Sequence, residues 1–128
     1  MYLVNGISVG NTHCVIFEDN IDSINVPETG SFFEHHKLFP GGANVEFVRV
    51  VNRNTLRIRV WERGNGETLA CGTGALAASF AAVRLGLANP DSEILVKLPG
   101  GDMTVRVAED SLTLTGGTEE VYTGAFEY

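Results

Sequence analysis

The residues of this sequence best equipped for chemistry are a cysteine and the glycine-rich run before it. Glu62-Arg63-Gly64-Asn65-Gly66-Glu67-Thr68-Leu69-Ala70-Cys71-Gly72-Thr73-Gly74 leads directly into an apolar stretch. From about Thr73 to Leu85 that stretch is almost all Ala, Leu, Val, Phe and Gly, with Arg84 its one charged residue. A helix apolar on every side is a buried helix. Gly86 and Pro90 supply its stop signals. Cys71 therefore stands where a helix begins, beside free N–H groups and the positive end of a dipole. Such a position attracts a carboxylate or phosphate. It is also expected to lower the pKa of a nearby thiol, and the thiolate is the reactive form. The bland alternative is a small buried cysteine beside glycines that merely turn the chain.

Composition bounds the remaining possibilities. The 128 residues suit one domain, 44% of them hydrophobic and 20% charged. A net charge of -7 argues against nucleic acid and anionic membranes as partners. An anionic ligand would need a local positive feature, which the helix mouth offers. No run reaches membrane-spanning length, and the opening residues lack a signal-peptide pattern, so a cytoplasmic chain with Cys14 and Cys71 reduced is expected. The spacing of His, Cys, Asp and Glu matches no metal-ligand pattern. The glycine run also lacks the Lys-Ser/Thr ending of a phosphate-binding loop.

Short alternating segments must position the cysteine. Tyr2 to Val9 and Cys14 to Phe17 read as strands about a Gly10-Asn11-Thr12-His13 turn. Asn25 can cap a helix from about Pro27 to His36, with Phe32, Phe33 and His36 on its inward face. Asn44 to Val51 alternates Val45, Phe47 and Arg49 against Glu46, Val48 and Val50. Thr55 to Trp61 follows through an Asn52-Arg53-Asn54 hairpin turn. Arg57 and Arg59 fit an ordinary solvated strand face. Strands follow at Glu93 to Leu98, Met103 to Val107, Leu112 to Thr115 and Val121 to Phe126. An apolar helix among many short strands must be wrapped by them. This predicts an α+β fold, a mixed sheet curled barrel-like round one central helix.

The run ERGNGETLACGTGALAA closely resembles the C-terminal half of the diaminopimelate epimerase family. The likeness extends in order through GNTHCVIFED, HHKLFPGGANVEFVRVV, LPGGDMTV and LTLTGG, nearly the whole chain. It implies half of a cofactor-independent amino-acid isomerase of lysine and cell-wall precursor synthesis. In that family two cysteines, one per half, remove and return the α-proton. By motif position Cys71 is one of these thiols, and the N–H groups of Gly72 and Thr73 are donors to the substrate's α-carboxylate. Asn11 and Asn44 match side-chain ligands for the distal end of the substrate. Glu62 and Arg63 match its ammonium and carboxylate contacts, and His13 an active-site histidine. Asn11 and Asn44 can equally be turn residues, and His13 a core histidine. Glu67 is expected to cap backbone near the helix start, and Cys14 to be buried and structural.

Thr12 replaces the proline usual in the first motif, Gly41-Gly42-Ala43 a more polar loop, and Leu76 a smaller residue. The family's other half, with its own Cys-Gly-Asn-Gly motif, lies outside this sequence. The expected partners are an amino-acid substrate and either that half or a second copy of this chain, paired about a two-fold axis. The last strand, Val121 to Phe126, is expected to swap between protomers. Rival readings are a binding module that kept the pocket without turnover, an isomerase of another small acid, and a cysteine hydrolase pairing Cys71 with His13.

Overall fold

The computed structural model describes residues 2–109, 111–116 and 119–124, with side chains to residue 114. Its strands are β1 (Val4–Ser8), β2 (Thr12–Phe17), β3 (Asn44–Asn52), β4 (Thr55–Glu62), β5 (Gly66–Thr68), β6 (Glu93–Leu98), β7 (Gly101–Val107), β8 (Leu112–Gly116) and β9 (Glu119–Gly124). Two helices interrupt them, α1 (Val26–Glu34) and α2 (Gly72–Arg84). All nine strands form one sheet in the order β1-β2-β3-β4-β6-β7-β8-β9, with β5 paired to the far end of β4. Two neighbouring pairs are parallel, β2 with β3 and β4 with β6. Each needs a crossover, and each crossover carries a helix.

The helices lie on opposite faces of the sheet. α2 touches β1, β2, β3, β4, β6, β7 and β8, which it can do only if the sheet curls around it. From Gly74 to Ala82 every residue of α2 is buried. The small side chains Ala75, Ala77, Ala78, Ala81 and Ala82 let the strands approach closely, while Leu76 and Phe80 fill the space between. Val15, Val48, Leu56, Ile58 and Val60 pack against this helix from β2, β3 and β4. The other face of β2 and β3 builds a second core from Cys14, Ile16, Val45 and Phe47, with Ile21 and Val26.

α1 begins where Asn25 accepts a hydrogen bond from the Glu28 N–H at 3.1 Å, as its cap role requires. Its inward face differs from the expected one. Val26, Gly30 and Glu34 are buried, whereas Phe32 is 60% exposed. The cause is Trp61, whose side chain lies so close to Gly30 that any Cβ there would sit 2.5 Å from Cγ. With Trp61 seated against Gly30, Phe32 faces solvent while Phe33 packs at the margin of the second core. Phe33 and His36 remain half-buried, stacked edgewise with Phe32 or Tyr2.

Other expectations are corrected by packing. The glycine loop after β4 contains a short strand, β5, antiparallel to the end of β4. Arg59 is not on a plain solvated face. It donates to the carbonyls of Ile21 and Ile24 and grips Glu67 with Nε and Nη2 at 2.9 and 3.2 Å. Glu67 therefore clamps β5 to β4 and does not cap the helix start. Arg57 pairs with Asp22 in the turn before α1. β9 pairs antiparallel with β8; residues 125–126 of the strand expected to swap lie outside the described residues.

Candidate functional site

One end of the sheet gathers the expected site residues. β2 and β3 both start there, and His13 lies in register beside Asn44. β4 ends there with Glu62, and the chain turns back through Arg63 and Gly64. α2 points its N-terminus at the same end.

Cys71 is the N-cap of α2, with φ -152° and ψ 106°. Its Sγ accepts the Gly74 N–H at 3.3 Å and lies 3.7 Å from the Thr73 hydroxyl. The Gly72 and Thr73 N–H groups, in the first turn, have no intrahelical acceptor. Among the described residues no acceptor outside the helix takes them, which leaves them open to an anion beside the thiol. Two close approaches fix this mouth. A Cβ on Gly72 would lie 2.9 Å from Leu114 Cδ2, and one on Gly74 would lie 3.1 Å from Glu46 Oε2 and 3.2 Å from Cys71 Sγ. The loop before Cys71 is held by the β6–β7 turn, where the Gly100 N–H donates to the Leu69 carbonyl at 2.8 Å.

Burial overrides the expected lowering of the thiol pKa. It pushes Cys71 above its ordinary value; the Thr73 hydroxyl and Gly74 N–H oppose the rise, and the charges of Glu46 and Glu62 add to it. In the chain as it stands, the helix mouth is outweighed by the apolar packing beneath the thiol. Cys14 is fully buried and pushed up to about 12 by burial, which makes it an inert core thiol.

The sequence reading missed Glu46. It is fully buried on the α2 face of β3. Its Oε2 lies 2.8 Å from His13 Nδ1, and His13 Nε2 lies 2.8 Å from Asn11 Oδ1. A chain of three side chains thus runs from under α2 to the exposed Asn11. Because Asn11 Oδ1 accepts from His13 Nε2–H, the Asn11 amide N–H2 is left to face outward. Burial raises the Glu46 pKa, against the pull of His13. The place of Glu46 among Val45, Phe47 and Val48 was its only sequence signal.

Arg63 and Asn44 are also joined. The Arg63 backbone N–H donates to Asn44 Oδ1 at 2.7 Å, and its guanidinium Nη1 donates to the Gly41 carbonyl at 2.6 Å. Gly42, at φ +84°, makes room, since a Cβ there would lie 2.6 Å from Arg63 Cδ. Glu34 supports the same turn. It accepts from Trp61 Nε1–H at 2.8 Å and from the Gly64 N–H at 3.1 Å. Asn11 with His13 and Asn44 with Arg63 are therefore two bonded pairs at the sheet end, and the charge of Glu62 reaches Cys71.

Comparison with known proteins decides the family. The diaminopimelate epimerase family profile matches residues 6–128. This chain belongs to the diaminopimelate epimerase family. Diaminopimelate epimerases of Desulfovibrio desulfuricans and Synechococcus elongatus are each 45% identical over 98% and 97% of the chain. The chain spans only 44% of the length of each. Among solved structures, a hydroxyproline epimerase from Agrobacterium vitis, with bound trans-4-hydroxy-L-proline, matches with a TM-score of 0.66 at 15% identity, over 97% of this chain and 45% of that one. A phenazine biosynthesis protein of the PhzF family from Enterococcus faecalis matches at 0.64 and 14%, over 88% and 42%. At such identities these two establish the fold alone. It is the curled α+β architecture expected. Among the described residues no helix is long and apolar enough to cross a membrane.

Proposed function

We propose that this chain forms one half of a cofactor-independent diaminopimelate epimerase site, in which Cys71 is one of two thiols that move the α-proton. The observation that carries the reading is the Cys71 mouth itself: a thiol at a helix N-cap, beside two free N–H groups, at the sheet end where Asn11, His13, Asn44, Glu62 and Arg63 converge.

Inverting an amino-acid α-carbon requires a base on one face and an acid on the other. The α-proton is a poor acid, so the negative charge that develops must be met by oriented donors. The Gly72 and Thr73 N–H groups are placed to receive the α-carboxylate, with the helix dipole behind them. Asn11 and Asn44 then read the distal end of the substrate, where Arg63 suits a carboxylate and Glu62 an ammonium group. His13 stands behind Asn11 as its fixed support. The second thiol comes from a partner, either the family's other half or a second copy of this chain. Lysine and cell-wall precursor synthesis in the cytoplasm is the setting this activity implies.

The test is proton exchange. Reduced chain is incubated with diaminopimelate in D2O, alone and with a separately expressed N-terminal half of a full-length relative, and the α-proton signal is followed by NMR. Loss of the signal in either mixture, abolished by Cys71→Ala, is the expected result, and loss with the chain alone identifies self-pairing. Tight binding of diaminopimelate without exchange in both mixtures refutes the catalytic reading in favour of a binding module.

A further inference from the structure

We infer that Glu46 is a positioning residue of the thiol site, which orients His13 on one side and acts on the protonation of Cys71 across the Gly74 backbone on the other. Three observations carry this. Glu46 is fully buried, yet it sits where β3 faces the first turn of α2 rather than at a sheet edge. Its Oε2 bonds His13 Nδ1 at 2.8 Å, while its Oε1 is buried without a hydrogen-bond partner among the described residues. Position 74 has no side chain between them, and a Cβ there would touch Glu46 Oε2 and Cys71 Sγ at 3.1 and 3.2 Å together.

The physical consequences follow from these contacts. A buried carboxylate with one bare oxygen is costly and is kept only where a partner compensates it. His13 is that partner, and it is locked at both ring nitrogens, by Glu46 and by Asn11. The lock sets the Asn11 amide with its donors outward, suited to an acceptor on the ligand. Toward α2 the same carboxylate presents negative charge to Cys71 through low-dielectric packing, which disfavours the thiolate. The other groups facing the thiol are Glu62 from β4, the Thr73 hydroxyl and Gly74 N–H from its own helix, and the apolar Leu114 next to Gly72 from β8. Gly74, whose helical backbone any residue could adopt, is thus required by close approach and not by conformation.

This inference rests on the reading of Cys71 as a reacting thiol, but it is measured without substrate, so it stands or falls apart from proton exchange. The rate of Cys71 alkylation by iodoacetamide is followed against pH in the folded wild-type chain and in Glu46→Gln. Glu46→Gln keeps the shape and removes the charge. Its midpoint is expected to fall by about one unit, so that alkylation at a fixed pH below the midpoint rises about tenfold. In parallel, the 15N shifts of the His13 ring are expected to change on Glu46→Gln, which a purely space-filling role would not produce. An unchanged alkylation midpoint overturns the inference. Should Glu46→Gln fail to fold, Glu46→Met decides: it fills similar volume without the charge and lowers the midpoint, and a midpoint equal to wild type overturns the inference.

Discussion

Replacing Gly30 by alanine tests how α1 supports the site. A Cβ at position 30 would lie 2.5, 2.6 and 3.0 Å from Cγ, Cβ and Cδ2 of Trp61. Comfortable carbon contacts are about 3.5–4.0 Å, so the rigid indole must retreat by about 1 Å. Overpacking of this kind costs about 1–3 kcal/mol. The better helix propensity of alanine returns about 1 kcal/mol. The net loss is then about 0–2 kcal/mol, or a fall in Tm of up to about 8 °C for a chain of this size. Retreat of the ring also breaks the 2.8 Å bond from Trp61 Nε1–H to Glu34, the residue that holds the Gly64 N–H beside Arg63. Trp61 is the only tryptophan, so its fluorescence reports the contact directly. Thermal unfolding by circular dichroism, with emission spectra of the folded chain, gives both readouts. A raised Tm with unchanged Trp61 emission would refute the close-packing argument and leave helix propensity as the dominant effect.

Arg59→Met strands the Ile21 and Ile24 carbonyls and unpairs Glu67; a loss of about 1–3 kcal/mol is expected in urea unfolding, partly recovered when Glu67→Gln is added. Cys14, with its thiol pushed up to about 12 and no exposed surface, is expected to resist alkylation at mildly alkaline pH in the folded chain. Mass spectrometry should find one adduct on native protein, at Cys71, and two after denaturation. Asp22 is held below the usual carboxylate range by its hydrogen bond to Arg57. Its folded pKa is depressed, so its contribution is present above the ordinary carboxylate value and lost as pH falls through the folded one. Because Asp22 is exposed, Asp22→Asn should cost little at neutral pH, less in high salt, and nothing in strong acid, read as unfolding midpoints across pH.

Much of the fold was legible because local patterns and packing agree. The apolar run after Cys71 could be stable only inside the protein, and α2 is buried from Gly74 to Ala82. Asn25 caps α1 and the Asn52–Asn54 turn joins β3 to β4, because caps and tight turns are decided by neighbours in sequence. The order of motifs agrees with the family match over residues 6–128, and the burial of Cys14 agrees with its reading as a core thiol.

What the sequence left open depends on which surface covers each face. β3 lies between β2 and β4, with α2 on one side and the second core on the other, so Val45, Glu46, Phe47 and Val48 are all buried and alternation no longer separates polar from apolar positions. That is why Glu46 passed as an ordinary strand residue until folding set it against His13 and Gly74. Glu67 and Arg59 are eight residues apart, and only the return of β5 along β4 turns them into a clamp. The bulk of Trp61 decides which face α1 buries. The thiol pKa shows the same division. Sequence placed Cys71 at a helix N-terminus, where the dipole favours thiolate. The tertiary structure packed it over an apolar core near two carboxylates, and desolvation, which acts on the charged form at every contact with that core, outweighs two hydrogen bonds.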